Sequence, residues 1–139
     1  MRKAWTFALL VLVLAAPAAR AAESEAVGKA QEAAGAWLAL VDAGKYGESW
    51  EAAASFFRAA VTKPGWESAV RSARSPFGTL KSRKLRSATF KTSLPGAPDG
   101  EYVVIQYDTR FEKKEAAVET VTPMREKDGT WKVSGYFVR

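Results

Sequence analysis

The sequence predicts an α+β domain in which N-terminal helices pack on a curled four-stranded antiparallel sheet. Residues 102–139 contain YVVIQYDTRF, AAVETVTPM and TWKVSGYFVR, three runs of strand length rich in Val, Thr and aromatic residues with short polar gaps between them. Residues from about 24 to 75 instead repeat their apolar side chains at helical spacing. Helices first and strands afterwards is the α+β order, and an antiparallel meander needs an apolar layer over one face. The helices are the only segment that can supply it.

The N-terminus reads as a signal peptide over residues 1–21. Arg2 and Lys3 form a basic start, Ala4 to Ala16 is almost wholly apolar, and Pro17 breaks that run. Ala19 and Ala21 place small residues at −3 and −1 of a cut after Ala21. The apolar run is shorter than the ~20 residues of a comfortable membrane span. No stable span is therefore expected after cleavage, and an uncleaved anchor is the alternative. The expected location is periplasmic or secreted. There is no cysteine to carry a lipid or form a disulfide, so residues 22–139 are expected to fold as one domain on their hydrophobic core alone. The leader takes three of the 21 basic residues and none of the 15 acidic ones, which halves the net charge from +6 to +3. Basic charge of that size is no argument for nucleic acid, and no nucleic-acid motif is present.

The first helix is expected over Glu25 to Val41. Ser24 would be its N-cap, Val27, Ala30, Ala34, Trp37, Leu38 and Val41 its buried stripe, and Gly44 its C-terminal cap. Gly28 and Gly35 in its interior suggest that the sheet passes close by. After a turn at Gly47, Trp50, Ala53, Ala54, Phe57 and Val61 share one face of a second helix. Thr62-Lys63-Pro64 opens a third, with Trp66 and Val70 buried and a stop at Ser75-Pro76. Trp37, Trp50 and Trp66 read as core residues, since aromatics at helical spacing usually are.

The first and longest strand is expected after Gly78, through Leu85 to Phe90. Leu94 to Gly100, with two prolines and two glycines, is a loop. In the second strand Val103, Ile105, Tyr107 and Phe111 point one way, and Tyr102, Val104, Gln106, Asp108 and Arg110 the other. In the third, Val118, Thr120, Thr122 and Met124 oppose Glu119 and Val121. Lys127-Asp128-Gly129 makes a hairpin turn. In the last strand Trp131, Val133, Gly135 and Phe137 form the more apolar face, opposed by Lys132, Ser134, Tyr136 and Val138.

The stretches WLALVDAGKYGESW (37–50), RSPFG (74–78), LPGAPDGEYVVI (94–105) and DGTWKVSGYFVR (128–139) together resemble a bacterial family of small exported proteins of unknown function, DUF4019-like. The resemblance spans essentially all of residues 22–139. It implies a cystatin-like or nuclear-transport-factor-two-like cone fold and export. It implies no activity, because the family carries no assigned chemistry.

The absence of histidine removes Ser-His-Asp and Cys-His catalysis, the usual zinc site and the ordinary neutral-pH base. No metal and no cofactor are expected. Two constellations remain. A pocket in the cone could bring together Trp50, Tyr107, Asp108, Arg110, Glu119 and Tyr136, where a carboxylate beside a tyrosine would suit acid–base chemistry. Asp108, Arg110 and Glu119 equally suit cross-strand pairs on a solvent face. The basic run Lys81, Arg83, Lys84 and Arg86 could meet phosphate groups of an envelope surface or serve to protect an exposed sheet edge. The leading expectation is a non-catalytic binding module of the cell envelope, taking a small molecule or an envelope protein. The alternatives are a metal-free isomerase or hydrolase using a pocket carboxylate, and a surface module using the basic run. A homodimer through the open sheet face is a further candidate, by analogy with cone folds.

Overall fold

The computed structural model describes residues 15–139. Residues 1–14 of the expected leader lie outside the described residues.

Among the described residues four helices precede the sheet: α1 (Ala15–Asp42), α2 (Tyr46–Glu51), α3 (Ser55–Ala60) and α4 (Lys63–Arg74), followed by a 3₁₀ turn at Ser75–Phe77. α1 extends further than the apolar stripe predicts. Ser24 lies inside the helix rather than capping it, and residues 16–25 are exposed. Alanine is the best helix former, and the Ala-rich stretch sustains helix there without packing. From Ala26 onward packing takes over. Ala26, Ala30, Ala34, Trp37, Leu38 and Val41 are all buried. Gly44 adopts φ +74 and ends the helix, as expected of a left-handed cap. Gly28 and Gly35 correct the expectation of a close neighbour. Both are exposed, with open space where a Cβ would stand, and nothing in the structure explains them.

The expected second helix is two short ones, and Gly47 lies inside α2 rather than in a turn. The chain breaks at Ala53 and Ala54 because both are fully buried and Ala54, in extended conformation, donates its N–H to Val133 O at 2.8 Å. A helical Ala54 would lose that bond to the sheet. α4 starts and stops where the sequence indicates. The Thr62 hydroxyl accepts from Gly65 N–H, Pro64 sits in the first turn, and Trp66 and Val70 are buried.

The sheet follows as β1 (Leu80–Lys91), β2 (Tyr102–Phe111), β3 (Lys114–Arg125) and β4 (Trp131–Val138), antiparallel and in sequence order. β1 shares its twelve-residue length with β3. Glu112-Lys113 and the Asp128-Gly129 turn, with Gly129 at φ +87, close the two later hairpins. The 94–100 loop folds back on the sheet, and Tyr102 reaches it by donating its hydroxyl hydrogen to Pro98 O.

α1 packs across all four strands. The core between them holds Ala30, Ala34, Trp37, Leu38 and Val41 of α1, Trp66 and Val70 of α4, and Val103, Ile105, Val121 and Val133 of the sheet. β2 alternates as predicted. β4 does not. The β3–β4 register shifts between Thr122 and Pro123, pairing Thr122 with Gly135 and Pro123 with Val133. The bulged residue, Ser134, flips everything beyond it to the opposite face. Val133 and Tyr136 therefore both face the helices, and Phe137, expected on the apolar face, is 56% exposed on the other side. A similar shift in β1 between Leu85 and Ser87 turns Ala88 and Phe90 inward.

Candidate functional site

The sheet and two helix C-termini converge on Glu119. Tyr107 pairs with Glu119 across β2 and β3, and Arg83 pairs with Thr109 across β1 and β2, so the four side chains share the helix-facing side. The bulge at Ser134 brings Tyr136 to the same side. Asp42 arrives as the last residue of α1. Arg74 arrives from the last turn of α4, one step along the stripe that buries Trp66 and Val70.

Glu119 is completely buried. Its Oε1 accepts from Arg83 Nε at 2.7 Å and from Thr109 Oγ1 at 2.7 Å. Its Oε2 accepts from Arg83 Nη2 at 3.2 Å and from the Tyr136 hydroxyl. Arg83 then reaches Asp42 through Nη1 and Nη2 at 2.8 and 2.9 Å, and Arg74 Nη2 donates to the same carboxylate at 2.9 Å. Arg74 Nη1 lies 3.9 Å from Glu119 Oε2, close enough for charge attraction without a hydrogen bond. The Arg74 guanidinium rests on the Phe111 ring, 4.6 Å from its centre. Among the described residues Arg74 Nε and Nη1 have no hydrogen-bond partner. Two arginines and two carboxylates thus alternate in a neutral network that ties α1, α4, β1, β2, β3 and β4 together.

The charges respond to that setting. Burial acts to raise the Asp42 carboxyl, but the hydrogen bonds and charge of Arg83, then of Arg74, outweigh it and hold the group below the usual range. Burial acts to lower Arg83, and its bonds to Asp42 and Glu119 raise it instead. Tyr136 is raised, first by burial and then by the adjacent Glu119 charge. Tyr107 is raised chiefly by burial. The unfolded Asp42 takes up its proton near pH ~3.9, before the folded one does, so its contribution is complete above that value and is lost as pH falls through the folded pKa. The two tyrosines contribute below pH ~10, and that contribution is lost as pH rises beyond it. Urea midpoints should be flat from pH 5 to 9 and fall on both sides. A midpoint unchanged at pH 2.5 would contradict the pairing of Asp42 with Arg83 and Arg74.

The structure divides the predicted site in two. Glu119, Tyr136 and half-buried Tyr107 lie inside. Asp108 and Arg110 are exposed on the outer face of the sheet, where Asp108 lies 3.7 Å from Arg86. They line an outer cleft of about 390 Å³ together with Lys84, Glu115 and Val118. Trp50 joins neither group: it packs on the core edge and donates its Nε1–H to Val61 O at 2.8 Å. The expected basic surface is corrected as well. Lys81, Lys84 and Arg86 are exposed, but Arg83 turns inward into the network.

Among the described residues, the side chains expected to line one pocket do not come together in any one cleft. Trp37, Trp66, Phe57 and Tyr136 fill the space beneath the sheet, with ring centres 5.0–6.5 Å apart along the cluster. Trp37 donates to Ser49 O at 2.8 Å and Trp66 to Ser49 Oγ at 2.9 Å, so the buried indole N–H groups are satisfied. Four surface clefts of about 160 to 630 Å³ lie elsewhere, and none of these is lined by Trp50, Tyr107, Glu119 or Tyr136. No cluster of acidic residues among the described residues is arranged to hold a metal ion, and no described helix is long and apolar enough to cross a membrane.

Sequence reasoning missed Asp42, Arg74 and Thr109. Two of them were within reach of it. Arg74 continues the i, i+4 stripe of Trp66 and Val70, and Thr109 continues the inward alternation between Tyr107 and Phe111. Asp42 gave no signal beyond its place at a helix end.

Fold and site together define an α+β protein whose curled antiparallel sheet closes over a helical layer and a neutral buried ion-pair network. The chain belongs to the family described as protein of unknown function (DUF4019), whose model matches residues 33–136. All six residues of the network lie within that match. No curated protein and no solved structure matches the chain.

Proposed function

We propose that this protein is a non-catalytic protein-binding module of the cell envelope, delivered there by its N-terminal leader. The observation that carries the reading is the closure of Glu119. The carboxylate is fully buried, and four donors from Arg83, Thr109 and Tyr136 occupy its two oxygens. An acid–base residue needs a substrate proton within reach, directly or through one water. A ligand-binding cone needs empty apolar volume at its centre, and here aromatic rings stand in that volume. Recognition is therefore assigned to the outside. Phe56, Leu85 and Phe137 are 37, 46 and 56% exposed and offer apolar contact there. The basic run is the weaker candidate for an anionic surface, because Arg83 is spent on the interior and Arg86 lies beside Asp108.

The test is photo-crosslinking in whole cells, with a photoreactive residue placed in turn at positions 56, 85 and 137. A discrete protein adduct at one or more positions is the expected result. Illumination that yields no protein adduct at any of the three would overturn the reading.

A further inference from the structure

We infer that the free edge of β1 is a docking site for an extended acidic segment of a partner protein, added to the sheet as a fifth strand. This rests on the protein-binding reading and names the surface and the chemistry of what it takes.

β1 and β4 are the two edges of the sheet, and they differ. The β4 edge is partly covered, since α3 lies against it and Ala54 N–H already occupies Val133 O. β1 pairs only with β2, and among the described residues no backbone bond reaches it from the outer side. An uncovered edge presents a row of N–H and C=O groups that another strand can satisfy. This one is twelve residues long.

Its side chains state which strand fits. β1 contains Lys81, Arg83, Lys84, Arg86 and Lys91 and no acidic residue. Arg83 is neutralised inside. Lys84 and Lys91 sit opposite Asp108 and Tyr102 on the outer face, and Arg86 reaches toward Asp108 there. Between these cations lie Ser87 and Thr89, small and uncharged. On the helix side, Leu85 pairs with Tyr107 and is 46% exposed at the rim, with Phe90 beyond it. A segment with acidic side chains on the outer face and apolar ones on the helix side would meet both rows at once.

The same charges argue against other occupants. A second copy of β1 would set lysines and arginines opposite their like, which is the ordinary protection of an edge against self-association. An anionic membrane gains ~1 kcal/mol for each nearby Lys or Arg, and stable attachment draws on clusters of about four to eight. Here the cations are strung along a strand, with one turned inward and another beside a carboxylate. Bulges between Leu80 and Ser82 and between Leu85 and Ser87 leave Ser87–Lys91 as the longest regular run for pairing.

The experiment measures binding of a fluorescent ten-residue peptide of alternating Glu and Val to the purified protein by anisotropy. An alternating Lys and Val peptide is the control. The Glu/Val peptide should bind and slow amide exchange within β1, and the control should not bind. K84E/K91E, both at exposed positions, should weaken binding at least about tenfold through like-charge repulsion while lowering the urea midpoint only slightly, through the like charge set opposite Asp108. Failure of the Glu/Val peptide to bind, equal binding by K84E/K91E, or protection appearing away from β1 would overturn the inference. So would tight binding to phosphatidylglycerol vesicles that K84E/K91E abolishes, with no peptide binding. The whole-cell adducts separate the two levels. An adduct that persists in K84E/K91E sinks the β1 site and keeps the binding reading, whereas loss of every adduct in the unaltered protein sinks both.

Discussion

Replacing Glu119 with alanine should cost about 3–5 kcal/mol of stability, the range for removing one partner from a buried ion pair. The substitution takes the acceptor from Arg83 Nε, Thr109 Oγ1 and the Tyr136 hydroxyl together, and it leaves the buried Arg74 and the partly buried Arg83 with Asp42 as their one carboxylate. That is a large share of the ~5–15 kcal/mol that stabilises a typical domain, so the variant should unfold at a much lower urea concentration. E119Q keeps the volume and one oxygen and should fall between the two. A buried pair is weak evidence for net stabilisation, because a well-packed apolar set often serves as well. An E119A variant within about 1 kcal/mol of the parent would mean that water reaches the carboxylate.

Trp66→Ala carries the second large effect. Trp66 is 6% exposed and stands at the centre of the aromatic cluster, edge-on to Phe57 at 5.0 Å and tilted against Trp37 at 5.7 Å. Truncating a buried aromatic typically costs about 3–5 kcal/mol, the removed surface plus the cavity left behind. Trp50→Ala is the control within the same protein. Trp50 is half-buried at the core edge, so its truncation removes less buried surface and should cost clearly less. Urea titrations followed by circular dichroism would read both. Equal losses would show that the cluster is looser than its ring distances indicate.

The order of elements was legible because local chemistry marks each boundary strongly. Thr62-Lys63-Pro64 can begin a helix, Gly44 can end one, and Asp128-Gly129 turns a hairpin, whatever surrounds them. The alternation in β2 was legible for the same reason. What escaped depends on contacts distant in sequence. Ala53 and Ala54 are good helix formers, and only the bond from Ala54 to Val133 explains why the helix stops there. The bulge at Ser134 is marked locally only by Gly135 beside it, which shows that a bulge is tolerated but not which side chain turns inward; it exchanges Phe137 for Tyr136 on the inner face and thereby completes the shell of Glu119. Arg83 could not be told from its basic neighbours, since its environment is made by Asp42 and Glu119, 41 and 36 positions away. The candidate site was half legible. Glu119, Tyr107 and Tyr136 were named from the sequence, but as the lining of an open pocket, and packing turned them into a closed interior.

Native mass spectrometry of the protein purified from its own cell envelope tests that closure most directly. Protein masses alone are expected, either the chain itself or the chain with a protein partner. A small molecule retained in stoichiometric amount, and released when Trp66 or Glu119 is replaced, would contradict it and restore the cone as a ligand pocket.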